Sequence, residues 1–270
     1  MLNVHEIYKT FNAGTLNEVQ ALRGVDFSLS EGEFVCVLGT NGSGKSTALN
    51  AIAGTFTLDD GKIIVAGTDI TGWPEHRRAK LIGRVFQNPF SGTAPTMSIE
   101  ENIALAARRG CSRGFGWGLP AERVSEFKTR IKTLNMGLED RLENPIGKLS
   151  GGQRQALTLL MATWLKPKLL LLDEHTAALD PKTAAKVIEL TETIIQRDNL
   201  TTLMVTHSMQ QAVNLGNRII MMHQGKIVYD FRGNDKQRLK VNDLLALFDE
   251  IRRKEQIDPS VAELLRKEYV

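Results

Sequence analysis

The sequence predicts an α/β fold, and three observations carry that reading. Short β-like runs crowd the first 70 residues, apolar runs alternate with helical patterns after residue 169, and from about Ser91 to Lys148 strand signals give way to helices. A chain of 270 residues, 42% hydrophobic, can hold one large domain or two small ones with a real core. Intrinsic disorder and fibrous repeats are excluded.

In order along the chain, runs at 2–7, 25–29, 34–38 and 62–65 are punctuated by Gly32, Gly61 and Gly67. They predict an antiparallel sheet surrounding one buried strand. After the run at 34–38, Ala48, Leu49, Ile52 and Ala53 continue as a helix stopped by Gly54. Residues 91–148 are expected as a helical insertion: Pro120 opens a helix, and Val124, Phe127, Ile131 and Leu134 fall on one face. The stretch 110–118, with Phe115 and Trp117 among four glycines, is a mobile surface loop or a partner contact. Past residue 150, Ala156, Leu157, Leu160, Met161 and Trp164 form one face of an amphipathic helix. Runs at 169–172, 201–205 and 218–222, separated by helical patterns, predict a mostly parallel sheet flanked by helices. Val241, Leu244, Leu245, Phe248 and Ile251 make a C-terminal apolar stripe expected to pack on the body, and Asp258-Pro259 starts a further helix.

Composition narrows the function. Lys plus Arg total 34 against 31 Asp plus Glu, and residues 232–270 hold 9 basic and 8 acidic side chains, so a basic nucleic-acid arm is not expected. The longest uncharged apolar run, 156–165, is about half of what a bilayer needs. The first residues lack the marks of a secretory signal, which places the chain in the cytoplasm by expectation. Cys36 and Cys111 have no metal spacing and are expected as free thiols.

The chemistry begins at Gly39, Thr40, Asn41, Gly42, Ser43, Gly44, Lys45 and Ser46, which fit the phosphate-loop pattern G-x-x-x-x-G-K-[ST]. Glycines there let backbone N–H groups turn inward on phosphate oxygens, Lys45 neutralises the terminal phosphates, and the Ser46 hydroxyl suits Mg²⁺. Thr47 follows as a further nucleotide contact. A strand runs into this string and a helix leaves it, the context that such a loop requires. Leu169 to Leu172 then lead into Asp173 and Glu174, two acids at the end of a buried strand, where α/β sheets present ligand groups. Asp173 suits a Mg²⁺ shell and Glu174 a general base.

Leu149-Ser150-Gly151-Gly152-Gln153, opening the amphipathic helix, resembles the signature of the ATP-binding-cassette (ABC) ATPases. Its Ser150 hydroxyl and the N–H groups of Gly151 and Gly152 form an anion site at a helix N-terminus, beside Gln153. The resemblance spans about residues 1–235, with 236–270 as a C-terminal helical extension. It implies a P-loop, RecA-like core with an N-terminal antiparallel β subdomain and a helical subdomain inserted at about 91–148. It further implies that the signature serves ATP bound to a second cassette, two chains sandwiching two ATPs head to tail, as a homodimer.

Other family positions map by residue. Phe11 resembles the aromatic that stacks on adenine, with Val19 as a second contact; Phe11 also reads as a core aromatic, and Tyr8 competes for the role. Gln87 resembles the glutamine that reaches Mg²⁺ and the attacking water. Asp180 resembles the aspartate at the dimer seam and is also placed to cap the helix opened by Pro181. His207 resembles the switch histidine at the γ-phosphate. His175 stands where many relatives carry proline; it is a support behind the site or a second imidazole beside the phosphate.

The resemblance implies ATP and Mg²⁺ as cofactors and a peripheral place on the cytoplasmic side of the inner membrane, with integral-membrane permease subunits as partners. Residues 87–95 and the loop around Trp117 look most like cassettes of bacterial importers of the amino-acid type, which would bring a solute-binding protein. An exporter ATPase is the alternative within transport. Soluble ABC proteins would show two cassettes, a long coiled coil or zinc-binding cysteines, and GTPases an Asn-Lys-x-Asp motif; the sequence has neither set.

Overall fold

A computed structural model describes residues 1–110 and 121–256. The strands are β1 (Leu2–Phe11), β2 (Val19–Leu29), β3 (Phe34–Gly39), β4 (Asp60–Val65), β5 (Thr68–Asp69), β6 (Ile82–Val85), β7 (Leu169–Asp173), β8 (Thr201–Val205), β9 (Arg218–His223) and β10 (Lys226–Arg232). The helices are α1 (Lys45–Ala53), α2 (Glu75–Arg78), α3 (Ile99–Ala107), α4 (Ala121–Lys132), α5 (Gly151–Thr163), α6 (Pro181–Asp198), α7 (Met209–Asn214), α8 (Gly233–Arg238) and α9 (Val241–Gln256).

Two sheets result. One is antiparallel in the order β2-β1-β4-β5; the other runs β10-β9-β3-β8-β7-β6, parallel throughout except for the β9–β10 hairpin. Here one expectation needs correction. The buried strand at 34–38 does not sit inside the antiparallel sheet but at the heart of the parallel one, paired with β8 and β9. An unbroken apolar run shows that both faces are covered and says nothing of which sheet supplies the neighbours.

Alternation places successive strand residues on opposite faces. Val35, Val37, Leu169, Leu171, Leu203 and Val205 pack toward the antiparallel sheet and α1, whereas Cys36, Leu38, Leu170, Leu172 and Met204 pack with residues of α6, α7 and α9. A third apolar cluster joins α3, α4 and α5 through Ile103, Phe127, Ile131, Leu157 and Trp164. The predicted face of α5 lies in that cluster, yet Leu159 and Ala162 on its other side belong to the second one, so α5 is buried nearly all round rather than amphipathic. On α9, Leu244, Phe248 and Ile251 are buried as expected, but Leu245 is 45% exposed. Cys111, residues 111–118 of the glycine-rich stretch and the helix start at Asp258-Pro259 lie outside the described residues.

Buried arginines tie these layers together. Arg78 donates from Nη1 to the Ala51 and Ile52 carbonyls at 2.7 and 2.9 Å, closing the C-terminal end of α1 with a cation. Arg218, 1% exposed, forks onto Asp230 at 2.7 and 2.8 Å and donates to the Ser28 carbonyl, fastening the parallel sheet to β2. Among the described residues no helix is long and apolar enough to cross a membrane.

Candidate functional site

Three neighbouring strands, β3, β8 and β7, end side by side, and the turn after each carries a group of interest. After β3, the loop bends through Gly42 (φ 77°) and Gly44 (φ 96°) into α1. The bend is possible because both are glycine. A Cβ on Gly39 would fall 2.4 Å from both the Met222 carbonyl oxygen and Ser43 Oγ, and one on Gly44 would fall 2.6 Å from the Ala21 carbonyl oxygen. The backbone therefore closes to a radius that no side chain permits. Lys45 Nζ lies over this ring, donating to the Gly39 and Thr40 carbonyls at 2.9 Å each. Burial lowers the Lys45 pKa, opposed by the negative charges of Glu174 and Asp173.

The β7 turn supplies those charges. Asp173 Oδ1 lies 3.5 Å from Ser46 Oγ, and its other oxygen lies 3.6 Å from Arg84. Burial raises the Asp173 pKa, while Arg84, Ser46 and Lys45 act to lower it. Arg84 is held in turn by Asn50 Oδ1 at 2.5 Å and Thr55 Oγ1 at 3.2 Å. No sequence motif marks Arg84. It sits on β6, whose Gly83-Arg84 centre hides the strand from an apolar-run search.

Glu174 follows in a left-handed backbone conformation, φ 44°, unusual for a non-glycine residue and placed at the centre of the site. Its Oε2 accepts from Gln87 Nε2 at 3.0 Å and its Oε1 lies 2.6 Å from His207 Nε2. Two residues far apart in sequence, Gln87 and His207, thus converge on one carboxylate. His175 turns the other way, 2% exposed, with Nε2 3.1 Å from Thr191 Oγ1. The Thr191 hydroxyl donates to the Val187 carbonyl at 2.7 Å, so His175 Nε2 carries the proton of that pair. Burial pushes the His175 pKa down to about 4. Of the two roles open to it in the sequence, the structure favours support behind the site.

Ser150 caps α5: its Oγ accepts from Gln153 N at 3.3 Å, while Gln153 Oε1 accepts from Ser150 N at 3.2 Å. A Cβ on Gly152 would lie 2.0 Å from Thr183 Cγ2, and one on Gly151 would lie 3.2 Å from Leu179 Cδ2. The two glycines let α5 approach the start of α6. There Asp180 caps α6 by accepting from Thr183 N at 3.1 Å, and hydrogen bonding from the Thr183 hydroxyl and backbone N–H lowers its pKa. On β1, the half-buried Phe11 meets Phe56 edge to face at 5.3 Å, with Lys9 Nζ within 6 Å of both rings. Val19 is 56% exposed and Tyr8 42%. Phe56 escapes a sequence search because no motif surrounds it.

The geometry is that of a nucleotide phosphate site with an acid beside it, on a chain that resembles known proteins in sequence and fold. The ABC transporter family profile matches residues 22–177. This chain is an ABC transporter ATP-binding protein. It is 39% identical over 249 residues to a tyrosine transport ATP-binding protein of Clostridioides difficile (strain R20291), covering 92% of this chain and 99% of the relative. A spermidine/putrescine import ATP-binding protein of Aggregatibacter actinomycetemcomitans is 32% identical over 235 residues, 85% of this cassette and 57% of that protein. Among solved structures, the dimeric post-hydrolysis state of the cassette MJ0796 bound to ADP and Pi superposes with a TM-score of 0.73 at 29% identity, covering 86% of this chain and 98% of that one. The cassette therefore has the P-loop ATPase fold, binds ATP and is an ATP hydrolase.

Proposed function

We propose that this cassette is the ATP-hydrolysing subunit of an importer of a small solute of the amino-acid class, working as a head-to-tail dimer beneath permease subunits on the cytoplasmic face of the membrane. The single observation that carries the catalytic part is the Glu174 carboxylate held between Gln87 and His207. Glu174 is the general base, accepting a proton from the attacking water, and Gln87 and His207 fix its two oxygens. His207 also faces the γ-phosphate. Lys45 and the loop 39–47 bind the phosphates, Phe11 and Val19 the base, and Ser150, Gly151, Gly152 and Gln153 the nucleotide of the facing subunit.

A Mg²⁺ ion fits the oxygen donors at hand. The Ser46 hydroxyl and the Asp173 carboxylate stand together, and Gln87, bonded through Nε2 to the adjacent Glu174, would add its carbonyl oxygen, a sparse set suited to an ion that keeps its waters and takes its remaining ligands from phosphate. When bound, the ion would neutralise phosphate charge. Residues 1–235 then form the cassette and 236–270 a C-terminal extension, whose helix α9 packs on the core through Leu244, Phe248 and Ile251.

The importer reading is supported by the tyrosine transport and spermidine/putrescine import relatives. A solute-binding protein is expected with it. The test is gentle solubilisation of native membranes, isolation of this protein and identification of its partners by mass spectrometry. Recovery with a polytopic permease and a solute-binding protein that binds an amino acid supports the proposal. A permease without any binding protein points to export, and ribosomes or no membrane protein at all would end the transport reading.

A further inference from the structure

The contact between Glu174 and His207 joins two turns that leave neighbouring strands, and the β7–β8 ladder ends at Asp173 opposite Val205, before either residue. Beyond it, one main-chain bond continues, from Glu174 N to the Val205 carbonyl at 2.9 Å. The rest of the connection is a side chain. Gln211, on the short helix α7 that follows His207, accepts at Oε1 from Thr206 Oγ1 at 2.8 Å and donates from Nε2 to Thr176 Oγ1 at 3.2 Å. Thr206 immediately precedes His207, and Thr176 lies two residues after Glu174. Both threonines are buried.

We propose that Gln211 is a positioning residue for ATP hydrolysis, its carboxamide clamping the His207 turn to the Glu174 turn. The inference rests on the catalytic reading of those two residues given above. The hydrogen-bond directions are consistent throughout. The Thr206 hydroxyl accepts from Ser208 N at 3.1 Å and so spends its one proton on Gln211, while the Gln211 backbone N–H donates to Ser208 Oγ at 3.2 Å. A carboxamide offers one acceptor and one donor at the spacing that the two hydroxyls require. An apolar side chain of the same length would leave two buried hydroxyls short of a partner and free the turns to separate. Glutamate keeps the acceptor for Thr206 and can accept from Thr176, whose hydroxyl rotates. The helix that carries Gln211 is itself anchored, since Ala212 is buried and Lys236 Nζ donates to the Val213 carbonyl at 2.8 Å.

The experiment measures steady-state ATP hydrolysis by the full chain carrying Gln211→Met, Gln211→Glu or Thr176→Val. Losing the clamp is expected to lower kcat about tenfold while KM for ATP stays within about twofold. Gln211→Glu should recover most of the rate, and Thr176→Val, which breaks the clamp from the other turn, should repeat the loss even if Gln211→Met folds poorly. In a His207→Ala background Gln211→Met should cost nothing further, because the clamp acts through His207. An unchanged kcat, a joint change of kcat and KM, or additive losses in that background would overturn the proposal. Glu174→Gln is assayed alongside. If it hydrolyses ATP at the wild-type rate, the catalytic reading fails; if it is inactive while the clamp variants are not slowed, the clamp alone fails.

Discussion

His207 Nε2 lies 2.6 Å from Glu174 Oε1, a contact between the ends of two adjacent parallel strands that is set by sheet order. The imidazole is half exposed and the carboxylate nearly buried, so the histidine stands on the solvent side of the acid.

That arrangement makes Glu174→Gln the sharpest chemical test. The amide preserves size and keeps a carbonyl oxygen for Gln87, but it cannot take a proton. Hydrolysis should fall at least about a hundredfold with ATP binding retained. Phosphate release read beside nucleotide retention checks this, and the variant should accumulate an ATP-bound dimer visible by size-exclusion chromatography.

Lys45 contacts backbone carbonyls of its own loop and faces two acids, so its charge is placed for anion binding. Lys45→Ala should weaken ATP binding at least about tenfold, the scale of one charge-assisted contact. Titration with a fluorescent ATP analogue measures it, and an unchanged affinity would remove Lys45 from the phosphate site.

Gly152 tests packing at the signature. Gly152→Ala puts a methyl 2.0 Å from Thr183 Cγ2 and should destabilise the fold by about 1–3 kcal/mol. Thr183→Ala removes the opposing atom, so the double variant should melt close to the wild-type temperature. A double variant as unstable as the single one would show that the helix backbones, and not this side chain, are in conflict.

His175 makes stability depend on pH. Its folded pKa of about 4 lies below the ordinary histidine value of 6.5, so the unfolded chain binds the extra proton between those limits. The contribution of the neutral ring is complete above pH 6.5 and is lost as pH falls toward 4, approaching ~3 kcal/mol. His175→Gln keeps a donor for Thr191 without titrating. In urea melts of both proteins from pH 7.5 to 4.5, the wild type should therefore lose stability relative to the variant toward the acid end. Parallel curves would show that the ring is not buried in its neutral form.

The parts of the site written as contiguous strings are legible in the amino-acid order itself. The phosphate loop is one, because its glycines and Lys45 act within a single turn; the box of Ser150 and Gln153 is another. Convergence is not legible in that way. Gln87, Glu174 and His207 meet only because β7 lies between β6 and β8, and strand order leaves no mark in local pattern. Arg84 and Gln211 are hidden for the same reason, being ordinary polar residues given meaning by neighbours distant in the chain. β10 escapes detection as an edge strand that alternates between exposed and half-buried residues and never forms an apolar run.

The left-handed backbone at Glu174 sets local comfort against chemistry. Glycine would adopt φ 44° at less cost, and asparagine would tolerate it better than glutamate. On the general-base reading of Glu174, a laboratory selection that rewarded heat resistance alone would drift toward those residues at position 174 and yield hardier proteins with crippled ATP turnover.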